Sequence, residues 1–399
     1  QFANQLKITE DNITFSHGWL RCFKNRNKIK SIKTCGESGS VNNTIVEAAI
    51  PELTALLEQY NPNDIYNFDE TALFYRMEPD RTLASKRISG RKKDKERLTV
   101  ALCSNATGSD KLIPLVIGKY QNPRCFKNIN LRNVGVKYAF NKKAWMTALI
   151  FQEWLTTFDK LIRIENPNRK VLLLIDNAGS HSIHGLELKN VVIKFLPPNT
   201  TSKLQPLDAG IIRSFKAKYR KRFIRFLIED LEKHSLVKTK LNVLGAIRFV
   251  VESRNEVSDN TIKNCWNHTK LVNILDTASE DNGIEDSSIE NDISDLHLPN
   301  PMCLSEYINY AEEEVIEDIL DECYNEEEDY EEVDDTIEEP KITHSEAINS
   351  CNTLIHYYEQ QSDNFSSQVL NLHKFKNEIM KVQSCSLKQT SILDYFHKK

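Results

Sequence analysis

Apolar and polar positions alternate along the chain in a way that marks out a strand-rich body and a polar remainder. Val171-Leu-Leu-Leu-Ile175, bounded by Lys170 and Asp176, is a continuous apolar run of strand length and predicts a strand buried on both faces. Val191–Leu196 predicts a second strand, broken at Pro197-Pro198, and Ile65–Asp69 a further one that follows the turn Asn61-Pro-Asn-Asp64. Arg97–Gly108 and Lys111–Lys119 pattern as an antiparallel pair joined at Gly108-Ser109-Asp110, with another strand near Val134–Phe140. Helical spacing replaces the strand pattern over Ile45–Tyr60 and again over Ala148–Ile162. There Leu149, Trp154, Leu155, Phe158 and Leu161 define a core helix, in which Trp154 serves packing. The expected class is α/β with a mixed sheet.

Beyond Asp208 a long helical pattern carries Phe215, Tyr219, Phe223 and Phe226 as one apolar stripe. Arg213, Lys216, Lys218, Arg220, Lys221, Arg222 and Arg225 are expected mostly on its other faces. Helices continue to about Leu275, which closes a core of residues 61–275. Ahead of it lie a helical stretch at 1–30 and a Ser-, Gly- and Asn-rich linker opening the segment 31–60. Residues 276–345 are acidic, with only sparse apolar residues in Glu312–Glu339, and are expected to stay largely disordered. Two short helices, Ser345–Gln361 and Phe365–Val382, are expected in the tail of 346–399.

Charge sharpens this division. Of the 52 Lys and Arg, 45 fall in residues 1–270 against 26 acids, a surplus of 19; residues 271–399 hold 7 against 31, a deficit of 24. A basic body of this size suits a polyanion such as DNA, and the acidic third repels one. The nine cysteines are scattered without a CxxC pair, so they predict reduced thiols and neither a disulfide framework nor a zinc site. No apolar run reaches 18 residues and the start lacks a signal-peptide pattern, so no membrane partner is expected.

Three carboxylates stand where an α/β sheet keeps its chemistry. Asp176 ends a strand, Asp208 opens a helix and Asp69 sits on another strand. A lone aspartate at such a place usually caps or turns the chain. Three on separate elements can instead converge on divalent ions, which select carboxylate oxygens and clamp the oxygens of phosphoryl transfer. Basic residues near these acids are candidate phosphate contacts: Lys92, Lys93, Lys95 and Arg97 before the second strand, and Arg213, Lys216, Arg220 and Lys221 on the helix after Asp208.

The blocks Asn67-Phe-Asp-Glu-Thr71, Leu174-Ile-Asp-Asn-Ala-Gly-Ser-His181 and Phe195-Leu-Pro-Pro-Asn-Thr-Thr-Ser-Lys-Leu-Gln-Pro-Leu-Asp208 resemble the signatures of the pogo/Tigger/jerky group of DDE transposases, which includes centromere protein B. Arg97–Gly108, Leu112–Gly118 and Asn122–Lys127 fit as well. The resemblance implies an RNase H-like core with Asp69, Asp176 and Asp208 as catalytic and metal-ligating triad, two Mg²⁺ or Mn²⁺ ions, hydrolysis at transposon ends and strand transfer. It makes Asn177, His181 and Gln205 supporting residues around that triad, and residues 1–30 the last part of a helix-turn-helix DNA-binding domain. DNA is the implied partner, a homodimer the implied assembly and the nucleus the implied location. A domesticated, non-catalytic DNA-binding protein of the same descent is the alternative.

Gln389-Thr-Ser-Ile392-Leu-Asp-Tyr395-Phe396 adds a separate expectation. An amide, an aliphatic three residues on and two adjacent aromatics six and seven on form the pattern of peptides that plug the sliding clamp PCNA. Gln389, Ile392, Tyr395 and Phe396 are the expected clamp contacts, and pogo-like transposases carry such peptides as a group.

Overall fold

The computed structural model describes residues 43–79, 96–234, 240–274, 282–296, 302, 304–305, 307–308, 340–361 and 365–386. Two compact units make up the chain, the larger formed by residues 1–121, 132–241 and 245–331 and the smaller by 122–131, 242–244 and 332–399. Lys92, Lys93, Lys95, the segment 1–30 and the peptide containing Gln389, Ile392, Tyr395 and Phe396 lie outside the described residues.

Six strands form one sheet in the larger unit: β1 (Ile65–Phe74), β2 (Arg97–Asn105), β3 (Leu115–Gly118), β4 (Lys137–Phe140), β5 (Val171–Ile175) and β6 (Val191–Phe195), in the order β4-β3-β2-β1-β5-β6. β1, β2 and β3 are antiparallel, and β5 and β6 run parallel to β1. That arrangement is the RNase H-like mixed sheet, and β4 extends it as a further edge strand parallel to β3. The strand expected from Val134 begins only at Lys137, because Leu131–Val134 closes a single helical turn first.

β5 is buried at all five positions, as an uninterrupted apolar strand in the middle of a two-faced sheet must be. One face is covered by α2 (Ala148–Glu165), which follows α1 (Asn43–Leu57) in chain order. Phe151, Trp154, Leu155, Phe158 and Ile162 of α2 meet Tyr66, Phe68, Leu173 and Ile175 there. Trp154 stacks against Phe158 and lies 4.1 Å from the Phe68 ring, so it is a packing residue. Burying these five side chains stabilises the layer by on the order of 10 kcal/mol before conformational entropy is counted. Leu149, 75% exposed, and Leu161 fall outside this stripe, contrary to expectation. Helical geometry explains it, since Phe151, Leu155, Phe158 and Ile162 share one face and Leu149 points nearly opposite.

The sheet edge holding the N-terminal ends of β1 and β5 is closed by paired charges. Arg169 reaches Asp64 at 2.7 Å and Glu165 at 2.8 Å, and it donates to the Tyr66 hydroxyl, which donates in turn to Asp110. Asp159 of α2 accepts from the backbone N–H groups of Lys189, Asn190 and Val191, which fixes where β6 begins.

On the opposite face runs α3 (Ile212–His234), followed by α4 (Val243–Glu256) and α5 (Asp259–Thr269). Phe215, Tyr219 and Phe223 are buried as the stripe predicts. So, against expectation, are Lys216, at 2% exposure, and Arg220, at 1%. Arg220 donates to the Phe74 carbonyl and lies 4.6 Å from the centre of the Tyr307 ring.

Tyr307 belongs to the stretch expected to be disordered. Instead α6 (Asn282–Asp295) buries Ile289 and Ile293 at helical spacing, and Tyr307 donates to the Met77 carbonyl. Sparse apolar residues are enough when each finds a preformed pocket and when a buried guanidinium gains an aromatic face.

In the smaller unit α7 (His344–Glu359) and α8 (Ser366–Ser386) form a helical hairpin, close to the two tail helices expected. Thr343 and Glu346 make a reciprocal capping box at the start of α7.

Candidate catalytic site

The C-terminal end of β5 lies beside the middle of β1, and their register, Asn67 opposite Leu174, carries Asp69 level with Asp176 two residues on. Side chains alternate along β1. Tyr66 and Phe68 point to the α2 layer, and Asn67 and Asp69 to the α3 layer.

Asp208 arrives from the α3 side in a kinked turn, Leu207–Ile211, that precedes α3. Gly210, at φ 155°, makes the bend, and a β-carbon there would stand 3.1 Å from the Cys265 sulfur.

Asn67 ties the three blocks together. Its Nδ2 donates to the Leu174 carbonyl at 3.1 Å and its Oδ1 accepts from the Leu207 backbone N–H at 2.9 Å. A single buried amide thereby sets β1, β5 and the Asp208 turn relative to one another. Gln205 Nε2 donates to Asp208 Oδ2 at 3.1 Å.

Asp69 is 8% exposed and hydrogen-bonds with Asp208 across the site. Burial, then the negative charges of Asp208, Glu70 and Asp176, hold its carboxyl well above the usual carboxylate range. Every one of these influences pushes in the same direction, toward the protonated carboxyl.

His181 is buried at 1% exposure, packed against the Phe151 ring at 4.7 Å. Its Nε2 lies 2.9 Å from Glu70 Oε2, and its Nδ1 is in ion-pair contact with Asp176 Oδ1. Burial opposes its charged form, but the contacts with Asp176 and Glu70 outweigh this and raise its pKa to about 10. Asp176 is therefore turned toward His181, with the Ala178 N–H at 3.3 Å on the same oxygen. As they stand, no three His, Cys, Asp or Glu side chains among the described residues close into a ligand cluster.

The remaining expected residues divide. Asn177 is exposed at the turn after β5 and makes no hydrogen bond among the described residues. Arg213 is exposed and Lys221 half-buried on α3, whereas Lys216 and Arg220 point inward and do not form a solvent-facing basic side. Arg97 donates to Thr99 Oγ1 and lies 5.1 Å from the centre of the Trp145 ring. Asn67 and Glu70 were not among the expected site residues. Period-two alternation from Asp69 would have pointed to Asn67, but nothing local signals that Glu70 meets a histidine 111 residues away.

An RNase H-like sheet that brings Asp69 and Asp176 level, with Asp208 beside Asp69, is the fold class of DDE-domain proteins. Residues 95–266 match the family model described as DDE superfamily endonuclease. The CENP-B homolog protein 2 of Schizosaccharomyces pombe is 32% identical over 378 residues, covering 88% of this chain and 71% of that protein. Tigger transposable element-derived protein 4 of Mus musculus is 30% identical over 324 residues, covering 80% of this chain and 59% of that protein. The chain belongs to this pogo/Tigger/CENP-B group of DDE-endonuclease-domain proteins. Among solved structures, the crystal structure of the Mos1 mariner paired end complex with Mn aligns at 15% identity and a TM-score of 0.36, covering 68% of this chain and 70% of that chain.

Proposed function

We propose that this chain is a metal-dependent DNA endonuclease of the transposase type, hydrolysing a phosphodiester at a transposon end and transferring the freed 3′ strand. The observation that carries the reading is the meeting of Asp69 and Asp208, with Asp176 level beside them, on three separate elements. The donor set is all carboxylate oxygen, which fits hard divalent cations, and the crowded Asp69–Asp208 pair is the kind of site a cation relieves. Two Mg²⁺ or Mn²⁺ ions held by Asp69, Asp176 and Asp208 would supply Lewis-acid activation of water and of the 3′-hydroxyl.

The chain's own residues set the positions. Asn67 fixes the Asp208 turn against β5, and Gln205 orients the Asp208 carboxylate. His181 holds Asp176 and Glu70 together, so Asp176 reaches a ligand position by giving up its contact with His181. Arg213, one turn beyond Asp208 and exposed, offers a phosphate contact beside the acids. Among the described residues no helix is long and apolar enough to cross a membrane. DNA as substrate places the protein's work in the nucleus.

The contact between Asp176 and His181 favours a second reading, a DNA-binding protein of the same family that no longer cuts. Nicking of supercoiled DNA in Mn²⁺ by this chain, set beside an Asp176→Asn variant, separates the two. Loss of clamp binding on combining Tyr395→Ala with Phe396→Ala tests the PCNA peptide; undiminished binding would remove that partner.

A further inference from the structure

One feature of the active edge is not used by the three aspartates. β4 runs parallel to β3, and β3 and β1 are both antiparallel to β2, so the chain leaves β4 after Phe140 in the same direction as it leaves β5 at Asp176, level with Leu73 of β1 and thus four residues, about 13 Å, beyond Asp69. Three strand spacings separate β4 from β1, about 14 Å. The loop does not stay over β4. It folds back across the sheet, where Thr99 Oγ1 of β2 donates to the Ala144 carbonyl at 2.6 Å.

The turn is rigidly built. Asn141 Oδ1 accepts from the backbone N–H groups of Lys143 and Trp145, both at 3.1 Å, and its Nδ2 donates to the Trp145 carbonyl. Ala144 is held at φ 51°, a left-handed conformation that a residue with a β-carbon adopts only when its surroundings enforce it. Three residues after Ala144, Thr147 caps α2. Phe151, whose ring packs on His181, lies one turn beyond that cap, about 6 Å along the helix axis.

This loop presents an aromatic ring with cations gathered on it. Arg97 Cζ lies 5.1 Å and Lys143 Nζ 5.6 Å from the centre of the Trp145 ring, both within cation–π range. Lys142 and Lys143 are exposed, and the Trp145 ring is half-buried. A strained, side-chain-clamped loop is more than packing requires to join a strand to a helix, and packing alone does not call for cations over its only indole.

We propose that Asn141–Trp145 is a phosphate-binding platform, in which Trp145 positions Arg97 and Lys143 to grip the DNA backbone flanking the scissile phosphodiester. The identity of the polyanion rests on the DNA-endonuclease reading. Trp145 is a positioning residue here, and the cations make the contact.

The test is binding of a fluorescein-labelled DNA duplex by the full chain in EDTA, read by anisotropy across about 50 to 200 mM salt. Lys143→Ala should reduce the slope of log affinity against log salt by about 0.9, and Lys143→Ala with Arg97→Ala by about twice that. Trp145→Leu should reproduce the Lys143→Ala loss, and Trp145→Phe should restore most of it by keeping an aromatic face. Lys160, exposed on α2 about 20 Å along the axis from this loop, is the charge-matched control, and Lys160→Ala should leave the slope unchanged. Wild-type slopes for Lys143→Ala and Trp145→Leu would overturn the platform, even if Mn²⁺-dependent cutting is found. Reduced slopes without any cutting by wild type would leave the platform standing and remove the nuclease reading instead.

Discussion

Asn67 accepts a hydrogen bond at 2.9 Å from the backbone N–H of Leu207, 140 residues further along the chain. Because the same amide donates to the Leu174 carbonyl, its removal strands a buried donor and a buried acceptor at once. Asn67→Ala should cost about 2–4 kcal/mol, from two unsatisfied groups. It should also blunt the rise in melting temperature that Mn²⁺ gives wild type, because the Asp208 turn loses its anchor. Thermal unfolding with and without Mn²⁺ measures both effects; an unchanged Mn²⁺ response would mean that Asn67 does not position Asp208.

Like charge at the Asp69–Asp208 pair destabilises the metal-free protein. Asp208→Asn removes one charge and should raise the melting temperature in EDTA by a few degrees, about 1 kcal/mol, while abolishing the gain from Mn²⁺. A variant that melts lower in EDTA and still responds to Mn²⁺ would contradict this pairing.

The imidazolium of His181 joins Glu70 to Asp176 in the metal-free protein. Its pKa is raised from 6.5 to about 10, so the stability it contributes is fully present below pH 6.5 and is lost as pH rises toward 10. His181→Gln should flatten the decline of melting temperature across that window. Equal slopes in wild type and variant would show that the pair is not held by this charge.

Arg220 and Arg213 lie on the same helix and should behave oppositely. Arg220→Ala leaves the Phe74 carbonyl and the Tyr307 ring without their partner and should lower stability by about 3 kcal/mol, with no change in the salt slope of DNA binding. Arg213→Ala should reduce that slope by about one. The reverse pattern would restore Arg220 to the DNA face.

Much of the sheet could be read from residues alone, because β5 is a pure apolar run that ends in an acid, and β2 and β3 flank a turn sequence. Asp176 and Asp208 stood out as candidates because each sits where a strong pattern stops, whereas Asp69 lies in mid-strand and was picked out with its block Asn67–Thr71. α3 was not legible, since its stripe of aromatics shows one buried face only. Lys216 and Arg220 are buried because other segments cover further faces, and Tyr307, 87 residues beyond Arg220, leaves no local trace of the contact. Glu70 and His181 were hidden likewise, as a pair made by β1 and the turn after β5. Leu149 and Leu161 misled because hydropathy does not say which of several leucines on an amphipathic helix faces the sheet.

The most direct measurement is metal-dependent nicking of supercoiled DNA by the wild-type chain and by Asp176→Asn under identical conditions. Cutting in Mn²⁺ or Mg²⁺ that disappears in EDTA and in the variant is the result expected of an Asp69, Asp176 and Asp208 site. Salt-sensitive DNA binding without cutting by either protein would contradict it and establish a family member that holds DNA without cleaving it.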